Sequence, residues 1–225
     1  MEQLDNPAWH SMALQAAFSE DNEQARRYQP EVDPLAALAD GAPAAAWEAL
    51  RPLMGAGEAV HLLQPTFEVP DDWETRHRGT VVQMVGAERP PEGDRPDFLE
   101  LGAADAPEML ALASATEPGP FATRTHELGR FIGIRDGGRL VAMAGERFVL
   151  TGMTEVSAVC TDPAYRGRGW AAALTAEIAA RIFDRGEAPF LHVVESNATA
   201  RRVYERIGFR DRTILAHVYV SPRNG

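Results

Sequence analysis

Lysine is absent from this 225-residue chain, and all 22 of its basic residues are arginine. That absence excludes Schiff-base chemistry and a lysine nucleophile, and it excludes a Walker-type phosphate loop, which needs lysine before its Ser or Thr. Cysteine is nearly absent as well. With Cys160 alone, no intramolecular disulfide can form and no metal cluster is expected, which fits a reducing, cytoplasmic setting. No apolar run approaches the roughly 20 residues of a membrane-spanning helix. The acidic opening, Met1 to Asp5, is unlike a secretory or organellar leader, so no membrane partner is expected. Positive charge is scarce too: the formal net charge of -11 argues against a nucleic-acid partner.

What is present describes an ordinary globular protein. A hydrophobic fraction of 45% and a charged fraction of 24% fit one large domain, or one domain with an elaborated terminal subdomain. The charge is unevenly spread. Residues 1–165 hold 12 Arg against 27 acidic residues, a net of -15, whereas residues 166–225 hold 10 Arg against 6, a net of +4. Solvated Arg-rich helices would account for this, and so would a basic surface around a phosphorylated ligand. The sign changes at Arg166.

Proline, glycine and charge crowd residues 83–96, which reads as a linker or crossing loop. The boundary placed there divides an N-terminal α/β subdomain, 1–95, from a second domain, 96–225. In the first part, residues 34–39 and 44–54 are expected as short helices and 58–64 and 75–85 as strands. The piece 19–29, with Arg26, Arg27 and Tyr28, reads as a helix or a ligand-facing loop. Trp9, Trp47 and Trp73 read as packing anchors. In the second part, strand 98–101 and helix 104–115 lead to strands 131–135 and 139–150 around Asp136-Gly137-Gly138, a hairpin signal. Strand 154–160 follows. Trp170, Leu174, Ile178 and Ile182 recur every four residues, one face of a helix that Gly186 ends. Strand 190–194, a helix ended by Gly208 and strand 213–220 complete an α/β (α+β) order.

The segment Val159-Cys-Thr-Asp-Pro-Ala-Tyr-Arg-Gly-Arg-Gly-Trp-Ala171 carries the chemistry. It runs from an apolar strand through a proline turn into glycines that open a helix, and uncovered N–H groups at a helix start bind phosphate. Gly167-Arg-Gly169-Trp-Ala-Ala172 also satisfies a dinucleotide-binding fingerprint, which leaves an NAD-type oxidoreductase as a weighed alternative. Against it, residues 161–166 separate strand from glycines, where a dinucleotide fold keeps that turn tight.

A longer match is available. Arg166-x-x-Gly169-x-Ala171, followed by Asn197-x-x-Ala200-x-x-x-Tyr204-x-x-x-Gly208-Phe209, resembles the two acyl-CoA motifs of the GNAT superfamily of acyl-CoA-dependent N-acyltransferases. The resemblance covers residues 97–220. Residues 185–192 and the added N-terminal half resemble its glycine N-acyltransferase-like branch. The resemblance implies a mixed central sheet with two splayed strands, flanked by helices. It implies acetyl-CoA, or another acyl-CoA, as co-substrate, with pantetheine along Val159, Cys160 and Thr161. The pyrophosphate would lie at Arg166, Gly167, Arg168, Gly169, Trp170 and Ala171, and further contacts would come from Asn197, Ala200 and Tyr204.

The resemblance also implies direct transfer to a primary amine of a small molecule or peptide. Tyr204 is the candidate general acid, because a phenol of pKa ~10 is protonated at neutral pH; core packing is its other reading. Glu155 is the candidate base, and an outward-facing strand carboxylate is the alternative. His126, Glu127 and His192 are candidates for lining the acceptor site, and solvated or structural roles stay open for each. Asn197 also reads as a helix N-cap. A non-catalytic acyl-CoA-binding or sensor module is the second functional reading. The N-terminal half is left three uses: covering the acceptor site, extending the sheet, or making a homodimer contact.

Overall fold

The computed structural model describes residues 2–91 and 96–223. Its regular elements run α1 (Pro7–Leu14), β1 (Ser19–Asp21), β2 (Ala25–Tyr28), β3 (Ala36–Leu38), α2 (Ala44–Leu50), β4 (Val60–Gln64) and β5 (Trp73–Gly86). They continue with β6 (Leu99–Leu101), α3 (Ala106–Thr116), β7 (Phe131–Asp136), β8 (Arg139–Leu150), β9 (Met153–Thr161), α4 (Trp170–Asp184), β10 (Ala188–Val194), α5 (Ala198–Arg206) and β11 (Phe209–Pro222). Among the described residues no helix is long and apolar enough to cross a membrane.

Eight strands make one mixed sheet in the order β4-β11-β5-β10-β9-β8-β7-β6, and β1, β2 and β3 make a small second sheet. In the large sheet only β9 and β10 run parallel, with α4 as the crossover between them. The β7–β8 hairpin turns on Gly137 and Gly138, both at positive φ, as a tight two-residue turn requires. Neighbouring residues of one strand point to opposite faces. Leu191 therefore packs with Leu174 and Ile178 of α4, while Phe190 packs with Ala8 and Met12 of α1. Val159 joins the α4 side, and Cys160 joins Met109 and Leu112 of α3. Each fully buried Leu or Ile in these layers contributes about 1.5–3 kcal/mol.

The N-terminal half departs from the sequence reading in two places. Residues 34–39 hold a strand, β3, because Ala36, Ala37 and Leu38 are all buried between β2 and the neighbourhood of β4. A run of six apolar residues cannot separate a strand from a helix by period alone. Residues 19–29 form the β1–β2 pair, and its arginines face protein. Arg27 is buried against Glu58 at 2.6 Å, and the Arg26 guanidinium lies 3.9 Å from the Trp9 ring centre. Trp47 and Trp73 pack edge to face in the core, as expected of anchors.

Residues 92–95, within the expected linker, are outside those described. Of the strands before it, β1, β2 and β3 make the small sheet, and β4 and β5 join the large one. β5 lies between β10 and β11, and β4 lies on the far side of β11. The first half of the chain therefore completes the sheet that the second half begins.

Candidate functional site

The site begins where two strands part. β10 pairs with β9 only from Ala188↔Met153 to Phe190↔Glu155, although β9 continues to Thr161 and β10 to Val194. Beyond Glu155 the β10-facing edge of β9 is open, as the resemblance implied. On its other edge β9 carries a bulge: the register with β8 shifts between Cys160 and Ser157. Ala158 takes up the extra residue at φ 51°, a left-handed conformation that costs an L-residue of order 1–2 kcal/mol.

The chain then passes through a short turn, Pro163–Tyr165, in which the Asp162 carboxylate accepts the Ala164 N–H at 2.9 Å. Gly167 and Gly169 follow at φ 81° and 77°, and Gly169 caps α4. The first intrahelical bond at this end runs from Ala173 N to Gly169 O. The N–H groups of residues 167–171 therefore precede the helix's own ladder and, with its dipole, are available to an anion. Tyr165 stacks on Trp170 at 5.7 Å, and the Arg168 guanidinium lies 4.8 and 5.1 Å from these two rings. Arg166 and Arg168 are exposed, and neither forms an ion pair among the described residues.

Deeper in the wedge is a small cavity of about 60 Å³, bounded by Ser157 and Val159 on β9, Leu191 and His192 on β10, Tyr204 on α5 and the loop Pro118–Pro120. Tyr204 sits against the α4-side core and meets Phe209 edge to face at 6.3 Å. Burial pushes its hydroxyl up to about 12, so it keeps its proton at neutral pH and can donate it.

Glu155 and His192 also face this cavity, within a buried polar network. Arg147 donates through Nε to Glu155 Oε2 at 2.8 Å and through Nη2 to Oε1 at 3.0 Å. His192 Nδ1 lies 2.7 Å from Oε1. Burial alone would raise the Glu155 carboxyl, but Arg147 and His192 outweigh it and hold it at about 2. A carboxylate so satisfied is a poor proton acceptor. His192 Nε2 lies 3.0 Å from Gln83 Nε2, and the Gln83 amide is oriented because its oxygen accepts from Arg212 at 2.9 Å and its nitrogen donates to Leu4 O at 2.8 Å. That pattern puts the hydrogen on His192 Nδ1 and commits the Nε2 lone pair to Gln83.

Behind Arg147 stands Asp33, fully buried, with Oδ2 3.7 Å from Nη1 and no hydrogen-bond partner for either oxygen among the described residues. Burial raises it to about 7 against the pull of Arg147. A raised folded-state value contributes stability that is full below the unfolded value of 3.8 and is lost as pH rises through about 7. Asp33→Asn is therefore expected to flatten the decline in unfolding free energy between about pH 4 and pH 7. Urea titrations across that range check it, and an unchanged slope counts against the assignment.

Other expected site residues are placed variously. The side chain of Asn197 accepts from Ala200 N at 3.1 Å, so it caps α5. Cys160 is buried and its thiol is pushed up to about 11 by burial, which removes any nucleophilic role. His126 and Glu127 do not line the wedge cavity. Glu127 is tied to Arg124 at 2.8 and 2.9 Å, in a short turn beyond α3. Sequence reasoning missed Arg147, Asp33 and Gln83. The available signal was a charged pair, Glu146-Arg147, inside the otherwise apolar strand 139–150, since charge there must find a buried partner.

A family model described as FR47-like protein matches residues 131–220. A solved structure described as a GNAT-family acetyltransferase from Novosphingobium aromaticivorans is 39% identical, with a TM-score of 0.91, over 98% of this chain and 99% of that one. A GCN5-related N-acetyltransferase from Kribbella flavida superposes with a TM-score of 0.66 over 98% of this chain and 96% of its own, at 20% identity, where the likeness is one of fold. No curated protein matches the chain. With 39% identity sustained over nearly its whole length and the splayed sheet that goes with it, the chain belongs to the GNAT family of acetyltransferases, whose fold supports acyl transfer from acyl-CoA.

Proposed function

We propose that this protein transfers an acetyl group, or another acyl group, from acyl-CoA directly to a primary amine of a small molecule or peptide. The observation that carries this reading is the parting of β9 from β10, which opens directly onto the glycine-capped start of α4. An open strand edge takes up an extended amide-bearing chain as it would another strand. Pantetheine is such a chain, and Val159, Cys160 and Thr161 supply the edge. The pyrophosphate falls to the N–H groups of residues 167–171, with Arg166 and Arg168 nearby. Asn197 adds a hydrogen bond to the pantetheine arm from the start of α5, beside Ala200. Placement in the glycine N-acyltransferase-like branch rests on residues 185–192 and the added N-terminal half.

Amine attack on a thioester requires the departing thiolate to be protonated. Tyr204 fills that role, since it lines the wedge cavity and its hydroxyl stays protonated. Glu155 is better read as a positioning residue that holds Arg147 and His192 than as the base. Proton removal is left to solvent at the mouth of the wedge, and the amine reacts as its free base.

Titration calorimetry with acetyl-CoA, followed by thiol release across an amine panel, tests the proposal. Stoichiometric binding with amine-dependent thiol release is the expected result. Binding without transfer to any amine would favour the second reading, an acyl-CoA-binding module, which the locked Glu155 recommends. At Gly169 a Cβ would meet nothing within 4 Å, while φ 77° strains any L side chain there, so Gly169→Ala adds the least bulk. It is expected to weaken acetyl-CoA binding about tenfold or more, because bulk and backbone strain arrive where the anion must approach.

A further inference from the structure

A second cavity, of about 380 Å³, opens where β10 stops at Val194 while β5 runs on beside β11. Its walls include His77, Thr80 and Val81 of β5, Val194 and Glu195, and His217 of β11. No motif of the acyl-CoA wedge accounts for it, and its walls have a definite chemistry.

Glu195 is held in place: its Oε2 accepts the Thr80 hydroxyl at 2.6 Å, and the Glu195 N–H donates to Thr80 O at 3.1 Å. Among the described residues it forms no ion pair, in a chain whose arginines are mostly matched to carboxylates. Val194 is 56% exposed, an unusual state for a valine beside a cavity. The remaining wall is aromatic. His217 Nε2 lies 2.9 Å from His61 Nδ1, and His61 stacks on Tyr219 at 4.3 Å. Burial, with the neighbouring His77 and Arg147, lowers His217 to about 4, so its imidazole carries no charge at neutral pH. The histidines do not make a metal site, since among the described residues no three such side chains are placed to hold one.

We propose that this cavity binds a second cationic group of the acceptor, carried on the same molecule as the reacting amine. The proposal rests on the transferase reading above. His192, which faces the wedge, and Glu195 are three residues apart along β10 and its continuation, a separation of about 10 Å. An acceptor chain of that reach places its reacting nitrogen in the wedge and its second cation against Glu195. Its methylenes lie over Val194 and Val81, and the uncharged imidazole of His217 sets no positive charge against the cation. A monoamine of equal length puts an apolar end against the carboxylate and desolvates it without compensation, and this is the basis of discrimination. The preferred substrates are therefore linear diamines and amines bearing a guanidinium or second ammonium group.

The test compares linear alkane diamines of increasing length with the matching monoamines, on the wild type and on Glu195→Gln. Binding is followed by calorimetry in the absence of acetyl-CoA, and turnover by thiol release. The wild type is expected to bind a diamine spanning about 10 Å roughly tenfold more tightly than its monoamine. Glu195→Gln should erase that preference while leaving acetyl-CoA affinity unchanged. Equal binding of diamine and monoamine by the wild type, or a preference that survives Glu195→Gln, overturns the inference even if acetylation proceeds. Loss of acetyl-CoA binding itself would strike the transferase reading instead, and the diamine binding data would still decide the cavity's role.

Discussion

Replacing Tyr204 by phenylalanine is expected to lower kcat by about a hundredfold or more, the typical contribution of a positioned general acid, while the KM for acetyl-CoA moves by less than about twofold. The reasoning separates the two jobs of this side chain. Its ring packs on the α4-side core with Ala200 and Trp170 and meets Phe209 edge to face, and phenylalanine keeps all of that. Only the hydroxyl is lost, at a residue that lines the wedge cavity. Because burial holds it up at about 12, the wild type should show no loss of activity through deprotonation of this group below about pH 11. A variant with unchanged kcat would leave Tyr204 a packing residue. The proton for the thiolate would then have to come from water.

The second large effect is expected on stability. Arg147→Met leaves Glu155 buried without its bidentate partner and should cost about 3–5 kcal/mol, read as a fall in the urea midpoint at constant slope. The double variant Arg147→Met with Glu155→Leu is expected to recover most of that loss, because a well-packed apolar pair of similar volume often replaces a buried ion pair. Recovery stops short by about 1–3 kcal/mol, since His192 Nδ1 then lacks its acceptor. The pH dependence has a definite sign. Glu155 is lowered from 4.5 to about 2 in the fold; its stabilisation is complete above pH 4.5 and is lost as pH falls through about 2. Neither variant should show that acid-side loss. Persistence of the same acid limb in the double variant would assign it to other carboxylates.

These two residues also show the limit of a sequence reading. Glu155 was expected to be a base because of its place on the splayed strand, and that place is real. Its partner is eight residues earlier in the chain, across a turn and a register shift in β8, and Asp33 approaches from more than a hundred residues away. No spacing rule reports such neighbours, so the ion pair that holds Glu155 could be seen only in three dimensions. His126 and Glu127, which do not line the wedge cavity, meet a related limit: a charged, histidine-bearing loop reads alike whether or not it faces the cavity. Residues 34–38 were misread because a short apolar run serves helix and buried strand equally well.

By itself, the sequence determined the local geometry that backbone conformation dictates. Gly137-Gly138, Gly167, Gly169, Gly186 and Gly208 all stand at positive φ, each at a turn or a helix boundary, where residue type alone decides what the chain can do. The four-residue recurrence from Trp170 to Ile182 determined α4 and which of its sides is buried, because helical period is a property of neighbouring residues. Together these were enough to locate a candidate anion site and, with the second motif, the family of the chain. Only the tertiary structure decided what depends on pairing between distant strands. It placed β5 between β10 and β11, making strands of the N-terminal half part of the large sheet. It ended the β9–β10 ladder at Glu155, and it locked that carboxylate against Arg147. The physical reason is common to all three: register and buried charge are settled by which surfaces meet, and a linear sequence records the surfaces without recording the meeting.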